Sequence, residues 1–101
     1  MNVIALRTLK QYWEKYPDAE KPLRAWYAVC RKANWTNLDE VQDVYPHADA
    51  VGECTVFNVG GNDHRLIVKI RYRTQRIYIR QVLTHKEYSR DKWKNDCNCK
   101  K

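Results

Sequence analysis

Between Arg65 and Arg73 the side chains alternate. Leu66, Val68, Ile70 and Tyr72 fall on one parity, and Arg65, Lys69, Arg71 and Arg73, with Ile67 among them, fall on the other. Successive side chains of a strand point to opposite faces, so this run predicts a strand with one apolar and one basic face. Arg76 to Leu83 repeats the theme, with Arg76, Tyr78 and Arg80 set against Ile77, Ile79 and Leu83. The connecting hairpin has Thr74-Gln75 at its tip and no glycine to supply a positive φ. A shorter strand, Thr55-Val56-Phe57, comes before and breaks at Asn58-Val59-Gly60-Gly61-Asn62. That break reads as a sharp turn, with Asn58 and Asn62 bonded to nearby backbone.

Upstream the period changes. Leu6, Leu9, Trp13 and Tyr16 recur at three or four residues, the stripe of a helix that Pro17 stops. Asp18 is placed to cap a second helix with Glu20 and Pro22 in its first turn. Leu23, Trp26, Tyr27 and Cys30 would then line its inner face, with Arg31 and Lys32 near the end and Asn34 as the stop. Asn2 to Ala5 fits either a short first strand or a run-in to the first helix. Asn37 to Glu40 reads as a cap and the start of a short helix, with Leu38, Val41 and Val44 inward and Pro46 ending it. His47 to Glu53 reads as irregular. From Ser89 to Lys101 the expectation is one or two helical turns and a frayed tail. Helices first and then consecutive strands predict an α+β fold. Two N-terminal helices would pack on a mainly antiparallel sheet, with a short C-terminal helix. With 101 residues and neither repeats nor linkers, residues 1–101 read as one domain.

Charge sharpens this picture. The net charge is +7, but residues 1–61 hold seven Lys/Arg against eight Asp/Glu, and residues 62–101 hold twelve against four. All the excess lies on the strand-rich segment, the electrostatic footprint of a nucleic-acid binder. A solvated face or a dock for an acidic partner would carry similar charge. No apolar run approaches the ~20 residues of a membrane span, and Met1 to Arg7 lacks the pattern of a signal peptide. These point to the cytoplasm and to no membrane partner. Cys97-Asn98-Cys99 is too tight for a zinc framework, so no metal is expected, and Cys30 and Cys54 read as reduced, buried thiols. Gly60-Gly61 lacks the Lys-Ser/Thr ending of a phosphate loop, and no small-molecule cofactor is implied.

The chemistry gathers at the end of the last strand, where His85 stands among Thr84, Lys86, Glu87 and Tyr88. RNA carries its own nucleophile, the 2′-hydroxyl. A nuclease acting on it must supply a base, an acid and cations for the charge that builds on phosphate. Imidazole can move a proton near neutral pH. Arg65 can clamp a phosphate in a fork, and Lys69 or Lys86 can add a point charge. The Tyr88 ring can stack on a base, or its hydroxyl can join a proton relay. Taken alone, a histidine after a strand is more often structural. His64 falls on the strand face opposite Arg65 or in the loop and takes a secondary role, and His47 reads as a surface residue.

The stretches VFNVGGNDHRL, Val56 to Leu66, and YIRQVLTHKEY, Tyr78 to Tyr88, resemble the two signature blocks of HigB-type toxins in the RelE/ParE superfamily of toxin–antitoxin systems. The resemblance implies a compact fold with two helices on one face of an antiparallel sheet. It implies a ribosome-dependent mRNA endonuclease that works without metal. It also implies a HigA-type antitoxin with a helix-turn-helix domain as partner. Carried onto this chain, the catalytic set is Arg65, His85 and Tyr88. Lys69, Arg71, Arg80 and Lys86 become phosphate or rRNA contacts, with Arg73 beside them on the basic face. The family block continues Tyr-Asp where this chain has Tyr88-Ser89 and then Asp91, so no carboxylate role is assigned. A non-catalytic RNA- or ribosome-binding module is the alternative reading, and a gyrase inhibitor is a third.

Overall fold

The computed structural model describes residues 1–61, 63–90 and 92–95. In chain order the elements are β1 (Asn2–Ile4), α1 (Leu6–Lys15), a 3-10 turn (Pro17–Ala19), α2 (Glu20–Lys32), α3 (Leu38–Val44), β2 (Asp49–Val51), β3 (Cys54–Val59), β4 (His64–Arg71), β5 (Arg76–Thr84), α4 (His85–Ser89) and a final 3-10 turn (Lys92–Asn95). The strands form one sheet in the order β1-β5-β4-β3-β2, antiparallel except for the parallel pairing of β1 with β5. The α+β class and the mainly antiparallel sheet are as expected.

The helices cover one sheet face because their stripes match the apolar parity of the strands. Leu9, Leu23, Trp26 and Cys30 meet Phe57, Leu66, Val68, Ile77 and Ile79 in one buried cluster. Burying such side chains supplies ~1.5–3 kcal/mol each, which makes this layer the main stabilising contact. α3 is capped by the Asn37 side chain, which accepts from the Glu40 N–H. Glu40 returns to accept from Thr36 N–H and hydroxyl, and these bonds hold its carboxyl below the usual range. The Met1 ammonium donates to the carbonyls of Cys30, Arg31 and Ala33, closing the C-terminal end of α2.

Several expectations are corrected. Asp18 does not cap α2: it lies in the 3-10 turn, and Ala19 precedes the helix without a side-chain cap. Val44 is 49% exposed rather than inward, since Leu38 and Val41 already fill the short helix's inner face. Asp49 to Val51 is strand, recruited by pairing with β3. The hairpin tip adopts its positive φ at Gln75 (φ 58°) without glycine. The Gln75 side-chain amide donates to the carbonyls of Trp35 and Tyr72 and holds that conformation in place.

The second sheet face differs most from expectation. It is not uniformly basic. Ile67 is fully buried there with Cys54, Val56 and Trp93, and Leu83 and Tyr88 pack against them. Leu83 joins this face, rather than that of Ile77 and Ile79, because the β4–β5 register shifts between Ile67 and Val68. Ile67 pairs with Gln81 and Val68 with Ile79, so Arg80 is an extra residue in β5. A bulge of this kind reverses the parity that follows it. Cys54 is disulfide-bonded, not a reduced thiol as expected, with its partner outside the described residues. Its side chain lies on the face where Trp93 returns across the sheet. Cys30 is free and buried. The expected frayed tail, the role of Asn62 and the Cys97-Asn98-Cys99 pair lie outside the described residues.

Because Ile67 is 0% exposed, Ile67→Ala should cost about 2–5 kcal/mol. Breaking the Lys69–Glu53 ion pair of the same face (3.3 Å) should cost about 1 kcal/mol or less. Urea unfolding of Ile67→Ala and Lys69→Ala measures both. Equal small losses would show that the second face is a solvated basic surface after all.

Candidate functional site

The site forms where β4 begins and β5 ends. His64 lies opposite Thr84, and Arg65 opposite Leu83. Successive residues of a strand face opposite sides, so His64 turns toward the helices and Arg65 toward the second face. Beyond Thr84 the chain turns at once into α4, ahead of the helical turns expected from Ser89. Thr84 and Glu87 form a reciprocal capping box that sets the helix direction. The Thr84 hydroxyl accepts from Glu87 N–H at 3.2 Å, and the Glu87 carboxylate accepts from Thr84 N–H at 3.0 Å. His85, the first residue of the helix, donates its backbone N–H to the Asp63 carbonyl at 2.9 Å.

This geometry brings Arg65, His85 and Tyr88 together. Arg65 is only 6% exposed. Its Nη1 donates to the His64 carbonyl at 3.1 Å, and its Nη2 lies 3.2 Å from His85 Nδ1. Because guanidinium has only N–H donors, the His85 Nδ1 accepts and its proton sits on Nε2. The His85 ring remains exposed. The Arg65 guanidinium also lies 5.2 Å from the Tyr88 ring centre, and Tyr88 stacks on Trp93 at 5.0 Å with an interplanar angle of 16°. A cation and an indole thus both engage the Tyr88 ring.

The other basic candidates separate. Lys86 is exposed on α4 beside His85, and Arg80 is exposed at the bulge. Lys69, Arg71 and Arg73 line a depression with Glu53 and Tyr72 toward the other end of β4. Arg71 lies six residues from Arg65, about 20 Å at strand spacing. Lys69 is paired with Glu53. Two cations not singled out from the sequence lie closer to the site. Arg90 and Lys92 border a cleft of about 240 Å³ with Gln81, Leu83, Glu87 and Trp93. Only the folding of α4 back over the sheet reveals them.

On the helical side of the same strand end is a second polar cluster. His64 is buried between Tyr12, whose hydroxyl is 2.6 Å from Nδ1, and Asp18, whose carboxylate is 2.8 Å from Nε2. Burial pushes the Tyr12 hydroxyl well above its ordinary pKa, helped by the negative charges of Glu87 and Asp18. Tyr12 therefore stays protonated and donates to Nδ1, while Nε2–H donates to Asp18. The hydrogen bond donated by His64 holds the Asp18 carboxyl below its ordinary range. No group of three or more His, Cys, Asp or Glu side chains suited to a metal ion occurs among the described residues. None of their helices is long and apolar enough to cross a membrane.

A carboxyl with a depressed folded-state pKa adds stability that is fully present above its unfolded value, ~3.9, and is lost as pH falls through the folded value. Asp18→Asn should therefore lower stability at neutral pH and flatten the loss seen below about pH 4. Urea midpoints measured from pH 2 to 7 read this directly. Parallel wild-type and variant curves across the acid range would show that the His64–Asp18 bond contributes nothing.

Comparison with known proteins places the chain. Residues 19–91 match the model of the HigB toxin family, described as the RelE-like toxic component of a toxin–antitoxin system. The chain is 35% identical over 91 residues to the mRNA interferase toxin HigB of Escherichia coli K12, covering 87% of this chain and 88% of that protein. The mRNA interferase HigB of Shigella flexneri matches to the same extent. A second mRNA interferase HigB, from Escherichia coli O6:H1, is 25% identical over 93 residues, with 89% and 90% covered. With Arg65 and His85 of its two signature stretches meeting at one strand end, the chain belongs to the HigB family of RelE-like toxins.

Proposed function

We propose that this chain is an mRNA endonuclease toxin that cuts on the translating ribosome, with Arg65, His85 and Tyr88 as its catalytic residues. The observation that carries the reading is the contact of Arg65 with both His85 and Tyr88 beside exposed cationic side chains. The names of its relatives, mRNA interferases, supply the substrate class. A scissile phosphate entering beside His85 would take over the Arg65 guanidinium and release His85 Nδ1. The freed nitrogen can then accept the 2′-hydroxyl proton as the 2′-oxygen attacks phosphorus. The bond to the 5′-oxygen breaks and that oxygen takes a proton from water, leaving a 2′,3′-cyclic phosphate and a 5′-hydroxyl end, while His85 returns its proton to solvent. Arg65 neutralises the charge that builds on the phosphate, and its low exposure strengthens that interaction. The Tyr88 hydroxyl orients the 2′-hydroxyl. Lys86 and Arg80 hold the flanking RNA backbone, and Lys69, Arg71 and Arg73 form a separate rRNA-facing patch. The partner that neutralises the toxin is a HigA-type antitoxin carrying a helix-turn-helix domain.

His85→Ala should lower cleavage of mRNA on programmed ribosomes by ~10²–10⁴-fold, the scale of a lost proton-transfer group. Arg65→Ala should lower it comparably, and both variants should relieve growth arrest on expression. Primer extension maps the new mRNA ends. Protection of the mRNA without new ends would favour a binding module over a nuclease, and either variant arresting growth like wild type would remove that residue from the site.

A further inference from the structure

The polar cluster on the helical side of β4 has no part in the chemistry above, yet it stands at the same strand end. His64 is 4% exposed and bonded at both ring nitrogens, to Tyr12 of α1 and to Asp18 of the 3-10 turn. These bonds tie the helical layer to the first residue of β4. The Tyr16 ring lies within 6.0 Å of the His64 ring as well. Gly60 closes the other side. It has a φ of +62°, and a Cβ there would come within 3.2 Å of His64 Cδ2. An imidazole fixed from three directions leaves its own backbone little freedom.

That backbone holds the site. The His64 carbonyl accepts from Arg65 Nη1, and the neighbouring Asp63 carbonyl accepts from His85 N–H. We infer that His64, clamped by Tyr12 and Asp18, is a positioning residue that sets the Arg65 guanidinium in register for cleavage. It acts through Arg65 and touches no substrate. A displacement of ~1 Å at a reacting group can cost 10²-fold in rate, and the clamp restrains the strand end against shifts of that size. The inference rests on the nuclease reading.

The experiment measures kcat and KM for mRNA cleavage on programmed ribosomes, at a temperature where every variant is fully folded. The set is wild type, His64→Phe, His64→Gln, Asp18→Ala, Arg65→Ala and the double variant His64→Phe/Arg65→Ala. His64→Phe keeps a ring and should lower kcat by ~10–10²-fold with KM within about twofold. Asp18→Ala changes an exposed carboxylate and so spares the core; its effect should go the same way but be smaller. His64→Gln keeps a donor near the Nε2 position and should recover part of the loss. In the double variant His64→Phe should add nothing to Arg65→Ala, because residues acting through one group are not additive. Wild-type kcat in His64→Phe, or a full additional loss in the double variant, would overturn the inference. Wild-type protein that cuts no mRNA would instead overturn the nuclease reading. The clamp is then judged by the NMR resonance of the Arg65 guanidinium, and an unchanged signal in His64→Phe would overturn it.

Discussion

The pairing of β4 with β5 at Thr84 is the constraint on which the rest of the molecule depends. It puts the end of one strand beside the beginning of the other, so that residues twenty positions apart in sequence become neighbours. α4 can then start directly from Thr84, its direction fixed by the capping box and its first N–H taken by the Asp63 carbonyl. Without that pairing the Arg65 guanidinium and the His85 imidazole would have no common location.

The same strand end serves two layers. The helical face receives His64 and its partners, and the other receives Arg65 and α4, because adjacent strand residues project to opposite sides. Arg65 is buried by an apolar patch that belongs to the second face: Tyr88 stacks on Trp93, and Trp93 packs with Ile67 and Cys54. The low polarisability around the guanidinium makes its interactions count for more than they would in water. Packing and electrostatics therefore act on the same atoms. Cys54, which is disulfide-bonded, is part of this second face.

Much of this was legible in the residue pattern. The alternation read from Arg65 to Arg73 is strand as far as Arg71, and the stripe at Leu6, Leu9 and Trp13 is α1. The Asn37 cap and the meeting of Arg65 with His85 and Tyr88 were also in view. The misreadings have identifiable causes. Leu83 was assigned to the wrong face because a bulge inserts one residue, and no local signal marks Arg80 as the extra one. Asp18 has the sequence of a cap, but a buried histidine on a distant strand offers its carboxylate a better partner. The expected short C-terminal helix is present but begins at His85 rather than at Ser89, because five residues carry too short a period to fix a boundary.

By itself the sequence determined which side chains can be buried, where the helices and main strands run, and that positive charge collects in the last two-fifths of the chain. These follow from near-neighbour spacing, which a linear pattern records in full. Only the tertiary structure decided that Arg65 is held by the His64 carbonyl, the His85 imidazole and the Tyr88 ring, and that His64 faces the helices between a phenol and a carboxylate. It alone divided the cations between two ends of one strand. Those outcomes depend on register, a bulge and the return of the chain across the sheet, each set by contacts between residues far apart in sequence.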